Sequence, residues 1–175
     1  DGLTFKILKE GYSKDKNNVY YKGIYSNSQL LKIEWADPDS FEVIDKNYSK
    51  DKKHAYYKHD NKSSKIEWSD GLTFEILKEG YSKDKNHAYY MDAYSDKKPS
   101  KIEGSDGLTF EILNDVYSKD KNYVYYKHHN KPSKIEGSDG LTFEILNYRY
   151  SKDKNHAYYM HANKPSKIEW ADPES

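Results

Sequence analysis

The chain has 175 residues, of which 35% are hydrophobic, and tyrosine accounts for 19 of them. Its 29 basic residues balance its 29 acidic ones, and every basic residue except Arg149 is a lysine, which argues against a nucleic-acid-binding protein. The absence of cysteine excludes disulfides and thiolate metal sites, and no apolar run has the length of a membrane span. A charged fraction of 33% is typical of disorder, but aromatic residues that recur in register favour a folded chain.

A tyrosine-rich decapeptide recurs five times along the chain, and its most frequent form is YSKDKNHAYY. The copies begin at Tyr12, Tyr48, Tyr81, Tyr117 and Tyr150, so that spacings of 36 and 33 residues alternate. Each copy is followed by Lys-Ile-Glu, which begins at Lys32, Lys65, Lys101, Lys134 and Lys167. Such a fixed period indicates a repeat protein in which each unit buries its surface against its neighbours. We place the units at 1–36, 37–69, 70–105, 106–138 and 139–171, with 172–175 beginning a sixth.

Within a unit the elements follow in a constant order. The entry segment, such as LTFEIL from Leu72, is predicted to form a helical turn or a short strand, and Asp37-Pro38 resembles a helix start. The decapeptide predicts a β-hairpin: Asp-Lys-Asn is a turn, and the two tyrosines of the next strand must point to opposite faces. Asn-Lys-Pro-Ser, at Asn130 and Asn163, predicts a second turn, and Lys-Ile-Glu predicts a third small strand.

All length variation lies between the double tyrosine and Lys-Ile-Glu. Units one and three carry three extra residues there. An odd insertion inside a paired strand would turn every later side chain to the opposite face of the sheet. The insertions are therefore predicted to be loops or bulges.

These observations predict a mainly β fold. We expect an open tandem array of five units, each with two or three short antiparallel strands and either a helical turn or a short strand at its entry. The alternative is a closed ring resembling a five-bladed propeller, although 33 to 36 residues are few for a four-stranded blade.

The entry segment, the Tyr-Ser-Lys-Asp-Lys-Asn turn and the Val/Ala-Tyr-Tyr strand resemble the DKNYY repeat family of bacterial proteins. The resemblance covers nearly the whole chain, and its departures are small: Lys53 replaces the asparagine in unit two, and alanine replaces valine in three units. It implies an exported or surface-associated bacterial protein and implies no particular activity.

The repeated tyrosines are predicted to have a structural role, since tyrosine gives a thin array a large buried area and a hydroxyl that can reach water. The predicted structural tyrosines are Tyr12, Tyr20, Tyr21, Tyr48, Tyr56, Tyr57, Tyr81, Tyr89, Tyr90, Tyr117, Tyr125, Tyr126, Tyr150, Tyr158 and Tyr159.

Nothing in the sequence predicts an enzyme. Catalysis needs one asymmetric constellation, whereas carboxylates such as Glu75 and Asp84 recur in the other units without a singular partner. No phosphate-binding loop, nucleophile elbow or zinc-protease motif occurs. Histidines at the same slot of several units, such as His54 and His87, are most often exposed turn residues, so we predict no metal and no cofactor.

The residue after Lys-Ile-Glu is the most informative departure from the repeat. It is Trp35, Trp68 and Trp170 in units one, two and five, but Gly104 and Gly137 in units three and four. A packed core does not tolerate that change of volume, so these tryptophans are predicted to be at least partly exposed. Together with the loop residues Tyr25 and Tyr94 they are candidate ligand-binding residues, unless each only covers a neighbouring loop.

The sequence therefore predicts a non-catalytic structural or adhesive repeat module of a secreted or cell-surface bacterial protein. It would act as a spacer or a fibre-forming element with a protein or glycan partner. The alternative is a carbohydrate-binding module. The chain begins at Asp1 without methionine, which indicates a processed fragment, and 172–175 repeats the start of unit two. Because neither end carries a polar cap, we also expect head-to-tail self-association.

Overall fold

Each repeat unit folds into one four-stranded antiparallel sheet, so that five sheets follow one another along the chain. The structure, a computed structural model, describes residues 2–23, 29–60, 62–92, 98–129, 131–162, 164–169, 171 and 173. The predicted mainly β tandem array is confirmed. The number of strands per unit was underestimated, because the entry segment and the Lys-Pro-Ser segment each form a strand of their own.

The strands are short, and each sheet lies within one repeat unit. The first sheet contains β1 (Lys6–Ile7), β2 (Tyr12–Lys14), β3 (Val19–Lys22) and β4 (Leu30–Lys32). The second contains β5 (Glu42–Val43), β6 (Tyr48–Lys50), β7 (Ala55–His59) and β8 (Lys62–Lys65). The third contains β9 (Glu75–Ile76), β10 (Tyr81–Lys83), β11 (Ala88–Tyr90) and β12 (Ser100–Lys101). The fourth contains β13 (Glu111–Ile112), β14 (Tyr117–Lys119), β15 (Val124–His128) and β16 (Lys131–Lys134). The fifth contains β17 (Glu144–Ile145), β18 (Tyr150–Lys152), β19 (Ala157–His161) and β20 (Lys164–Lys167).

The strands of each sheet are ordered as they follow in the chain, which is the simplest antiparallel meander. The prediction that Lys-Ile-Glu forms a small strand is wrong, because the fourth strand of each sheet ends at the lysine of this segment. The isoleucine lies beyond it, although its N–H still bonds to the neighbouring strand, as in Ile66 N–H to Ala55 O at 2.8 Å.

The three-residue insertions leave the strand register unchanged. The first tyrosine of each pair faces the lysine of Lys-Ile-Glu in the long unit one (Tyr20 and Lys32) as in the short unit two (Tyr56 and Lys65). The insertions fall between the third and fourth strands, and 24–28 and 93–97 in these connections lie outside the described residues. An unchanged register is what an insertion in a connection requires.

The entry segment is a turn followed by a two-residue strand. A short 3-10 helix, Gly2–Thr4, is found in unit one. The helix predicted after Asp37 is wrong, since 38–40 form a turn whose end is held by the Ser40 hydroxyl donating to the Asp37 carboxylate at 2.8 Å. Three residues are too few to nucleate a helix, and the next residues are drawn into the sheet.

The hydrophobic core lies between successive sheets. At each junction one unit supplies the tyrosine that begins the decapeptide, the alanine or valine before the tyrosine pair, the second tyrosine of the pair, and the isoleucine of Lys-Ile-Glu. The next unit supplies the phenylalanine of its entry segment and the first tyrosine of its pair. Between units three and four these residues are Tyr81, Ala88, Tyr90, Ile102, Phe110 and Tyr125. The two adjacent tyrosines of a strand therefore pack against different neighbours, because side chains alternate between the faces of a strand.

Aromatic contacts run through each junction. The Phe110 ring centroid lies 5.7 Å from that of Tyr81 in the preceding unit and 5.9 Å from that of Tyr125 in its own. Such pairs add about 0.5–1.5 kcal/mol each beyond the burial of their area. A core built from tyrosine and phenylalanine explains how a chain with so little aliphatic surface folds.

The array does not close on itself within the described part of the chain. Contacts between sheets link consecutive units, and no closed ring is formed, so the propeller alternative is not supported. The outer faces of the end units carry the residues that are buried at internal junctions: Phe5 and Tyr150 are each 43% exposed, and Ile168 is 36% exposed. No helix of the described residues is long and apolar enough to cross a membrane.

Candidate functional site

The aspartate of the decapeptide is a buried hydrogen-bond centre. In unit three, Oδ1 of Asp84 accepts from the N–H groups of Asn86 and His87 at 2.7 and 2.9 Å, which closes the predicted turn. Oδ2 accepts from the Tyr89 hydroxyl at 2.7 Å and from the Asp70 N–H at 2.8 Å. Each carboxylate oxygen thus has two donors, which is the arrangement a buried charge requires.

The pKa shifts at the corresponding centre of unit two follow from this geometry. Burial acts to raise the pKa of the Asp51 carboxyl, but the hydrogen bonds from Asp37 N–H, the Tyr56 hydroxyl and the turn outweigh it, and the pKa is lowered. Burial and the hydrogen bond to Asp51 raise the pKa of Tyr56. These shifts favour a charged aspartate and a neutral tyrosine at ordinary pH.

The two lysines of the decapeptide hold the entry segments in place. Lys83 of unit three donates to the carbonyl oxygen of Phe110 in unit four at 3.1 Å, which joins the two units. Lys85 pairs with the Asp70 carboxylate at 2.9 Å within unit three. The aspartate and both lysines of the Tyr-Ser-Lys-Asp-Lys-Asn motif therefore hold neighbouring segments together. Its buried serine hydroxyl, Ser82 in unit three, has no hydrogen-bond partner among the described residues.

A close approach of backbones explains the glycine of the Asp-Gly entry. A Cβ atom on Gly107 would lie 2.0 Å from the Asp84 carbonyl oxygen and 2.7 Å from the His87 nitrogen of the preceding unit. Gly71 and Gly140 meet the equivalent turns at 2.0 and 1.9 Å. The contact joins positions in different units, so no local signal could have revealed it.

The histidines do not assemble a metal site among the residues that the structure describes, where no group of three or more potential ligands lies together. His54 and His87 each pack edge-on against the first tyrosine of the pair in their own unit, Tyr56 and Tyr89, with ring centroids 6.5 and 6.4 Å apart. They are turn residues next to the aspartate centre.

The structure exposes the two tryptophans that it describes. Trp35 is 80% exposed and Trp68 is 73% exposed, as the interchange with glycine predicts. Trp170, Tyr25 and Tyr94, the other candidate ligand-binding residues, lie outside the described residues.

The position of these tryptophans has a left-handed backbone. Trp35 and Trp68 have φ of 70° and 69°, and the glycines at the same place, Gly104 and Gly137, have φ of 77° and 75°. This conformation costs a side-chain-bearing residue roughly 1–2 kcal/mol, whereas glycine adopts it freely. Glycine is therefore the residue that the turn favours.

Trp68 forms one wall of a groove of about 980 Å³ between units two and three. Tyr57 belongs to the same side, and Lys98, Pro99 and Lys101 of unit three form the other. Lys98 crosses the junction and donates to the Lys65 carbonyl oxygen at 3.2 Å and to the Glu67 carboxylate at 3.1 Å. Of the two candidate ligand-binding residues that the structure describes, Trp68 lines this groove and Trp35 does not.

A second groove of about 920 Å³ follows between units three and four, on the same strand edge. Its lining includes Gly104 at the tryptophan position, with Lys101, Lys131 and Pro132. The second groove has glycine where the first has the indole, and its lining contains Met91 and four lysines.

Comparison with known proteins identifies the repeat. The model of the DKNYY family matches the chain twice, over residues 1–60 and over residues 22–162. No curated protein and no solved structure matches it. Since the two family matches together cover most of the 175 residues and include all five decapeptides, the chain belongs to the DKNYY family.

Proposed function

We propose that the chain is a non-catalytic repeat scaffold that serves as a spacer or adhesive segment of a secreted or cell-surface bacterial protein. The observation that carries this proposal is that the repeated aspartates and lysines of the decapeptide are engaged in structural contacts. The buried aspartates accept two donors on each oxygen in units two to five. The first two lysines of the decapeptide in the same units contact backbone or carboxylate oxygens. Groups engaged in this way support packing and offer no general acid, base or nucleophile.

A spacer must hold its units in a fixed relation to one another. The buried aromatic junctions, the lysine hydrogen bonds and the close contact at Gly107 all favour a semi-rigid array over units that move independently. The test uses small-angle scattering to compare the maximum dimension of this five-unit chain with that of a chain in which the five units are repeated in tandem. We expect the maximum dimension to grow in proportion to the number of units. A dimension that grows only as the square root of unit number would contradict a rigid spacer.

The export and surface assignment rests on the family resemblance and is tested separately. An antibody to the chain should label intact cells of its natural host, and external protease should remove the signal. Labelling only after lysis would overturn the assignment and leave the scaffold proposal standing.

A second role, self-association, is favoured by the exposed faces of the end units. Tyr150 and Ile168 in unit five occupy the positions that are buried at internal junctions, and Phe5 is the counterpart of the phenylalanine that packs on them. A second copy docking head to tail would repeat an internal junction. Sedimentation should show association that rises with concentration and weakens in Phe5→Lys. A monomer at all concentrations would refute it.

A further inference from the structure

Trp68 is a residue that neither the backbone nor the core of this protein explains. Its φ of 69° is one that glycine favours, and units three and four build the same turn with Gly104 and Gly137. The side chain is 73% exposed, and the contact described for its ring is the Lys101 ammonium, 5.8 Å from the ring centroid, so burial in the core does not offset the strain. A strained, exposed aromatic residue is an outlier of the kind that points to binding.

The surroundings of Trp68 form a built groove. Beside the indole lie Tyr57 and Ser64 of unit two, and the far wall is made by Lys98 and Pro99 of unit three. Lys98 and Pro99 follow the three-residue insertion of unit three. Within the parts of the chain that the structure describes, this junction is the one where an exposed tryptophan faces the connection of a long unit.

The charges of the groove select the class of ligand. Its lining holds three acidic residues and three lysines: Asp60, Glu67, Glu103, Lys62, Lys98 and Lys101. Two lysine–carboxylate pairs already form, Lys98 with Glu67 at 3.1 Å and Lys101 with Glu103 at 3.4 Å. A balanced, paired lining attracts neither polyanions nor polycations over a distance.

The same lining suits a sugar. An exposed indole offers a flat apolar surface for the C–H face of a pyranose ring, while carboxylate and ammonium groups at the rim can bond hydroxyls. The volume of about 980 Å³ lies within the range of ligand-binding sites. We propose that this groove binds an uncharged oligosaccharide, with Trp68 as the stacking platform and the Lys98–Glu67 and Lys101–Glu103 pairs as partners of its hydroxyls. The inference is independent of the scaffold proposal.

The chain supplies its own controls. Trp68→Gly installs the residue that Gly104 and Gly137 already place in the same turn, so this variant keeps the backbone and removes only the indole. Trp35→Gly makes the identical change at a junction without the long connection. Conversely, Gly104→Trp adds an indole to the second groove, where Lys101, Lys131 and Pro132 are already present.

The experiment titrates the protein with tetrasaccharides of glucose and of N-acetylglucosamine. The indole N–H resonance of Trp68 locates binding in the wild type, and titration calorimetry measures the affinity of every variant. We expect at least one of these sugars to shift the Trp68 resonance saturably, Trp68→Gly to weaken binding by about tenfold or more, and Trp35→Gly to change it by less than about twofold. Gly104→Trp should add a second, weaker site.

Three results would overturn the proposal. They are the absence of any shift with both sugars up to about 10 mM, equal binding by wild type and Trp68→Gly, and preferential binding of a sulfated or uronic-acid tetrasaccharide. A shift of the Trp68 resonance by a mixed peptide pool, but by neither sugar, would overturn it in favour of a protein partner. None of these results touches the spacer proposal, whose test is the scattering of the tandem chain.

Discussion

Substitution by alanine should destabilise the protein at both Gly104 and Gly107, but for different physical reasons. Gly107 lies against the turn of the preceding unit, where a Cβ would come within 2.0 Å of the Asp84 carbonyl oxygen. Gly104 has a left-handed backbone, with φ of 77°, and nothing lies within 4 Å of its Cβ position. The pair therefore separates the cost of close packing from the cost of conformation.

The magnitudes follow from these distances. Real Cβ atoms do not approach other atoms closer than 3.0 Å, so Gly107→Ala must push two backbones apart by about 1 Å. Overpacking of this kind costs about 1–3 kcal/mol and occasionally more. The segment displaced also carries the Asp84 hydrogen bonds, which places Gly107→Ala at about 3 kcal/mol or above. Gly104→Ala changes only conformational preference and should cost about 1 kcal/mol.

Urea unfolding followed by far-ultraviolet circular dichroism measures both free energies. The midpoint should fall much further for Gly107→Ala than for Gly104→Ala, with similar slopes. Because repeat arrays can open locally, hydrogen exchange should show the loss of protection centred on the junction of units three and four. Equal destabilisation by the two substitutions, or a loss below about 1 kcal/mol for Gly107→Ala, would refute the close-approach explanation.

The other predictions concern the hydrogen bonds and titrations of the core. Tyr89→Phe should lower the free energy of unfolding by about 1–2 kcal/mol, and Asp84→Ala by about 3 kcal/mol or more, because the second change leaves several buried donors unpaired; equal losses in urea unfolding would contradict this. Burial raises the pKa of Tyr12 and of Tyr81 to about 12 from an ordinary value of 10.0, so the stability that each contributes, about 2–3 kcal/mol, is complete below pH 10 and is lost as the pH rises to 12. Tyrosinate absorbance and circular dichroism should therefore change together in alkali, and ionisation of all tyrosines near pH 10 without unfolding would show that they are not buried. Trp35→Gly relieves a left-handed backbone and should raise stability by up to about 1 kcal/mol in thermal unfolding, whereas a decrease would mean that the indole packs usefully.

Local signals in the sequence determined the repeat, its strands and its principal turn. The double tyrosine and the Asp-Lys-Asn segment predict a hairpin, because strand alternation and the bond from an aspartate to the backbone two or three residues on are short-range effects. The interchange of tryptophan and glycine predicted exposure of Trp35 and Trp68, since no core accepts that change of volume.

Tertiary structure alone decided how the units contact one another. The reason for Gly107 is a backbone more than twenty residues earlier in the chain, and the partner of Lys83 is a carbonyl oxygen in the next unit. The sequence left the entry segment open between a helical turn and a short strand, because a two-residue strand has no period of its own and forms only by pairing with its neighbour. The groove beside Trp68 likewise brings together residues of two units, such as Lys98 and Glu67. Sequence periodicity shows what each unit contains, but distances between units depend on how the sheets pack, and that packing fixes which repeated residues become a site.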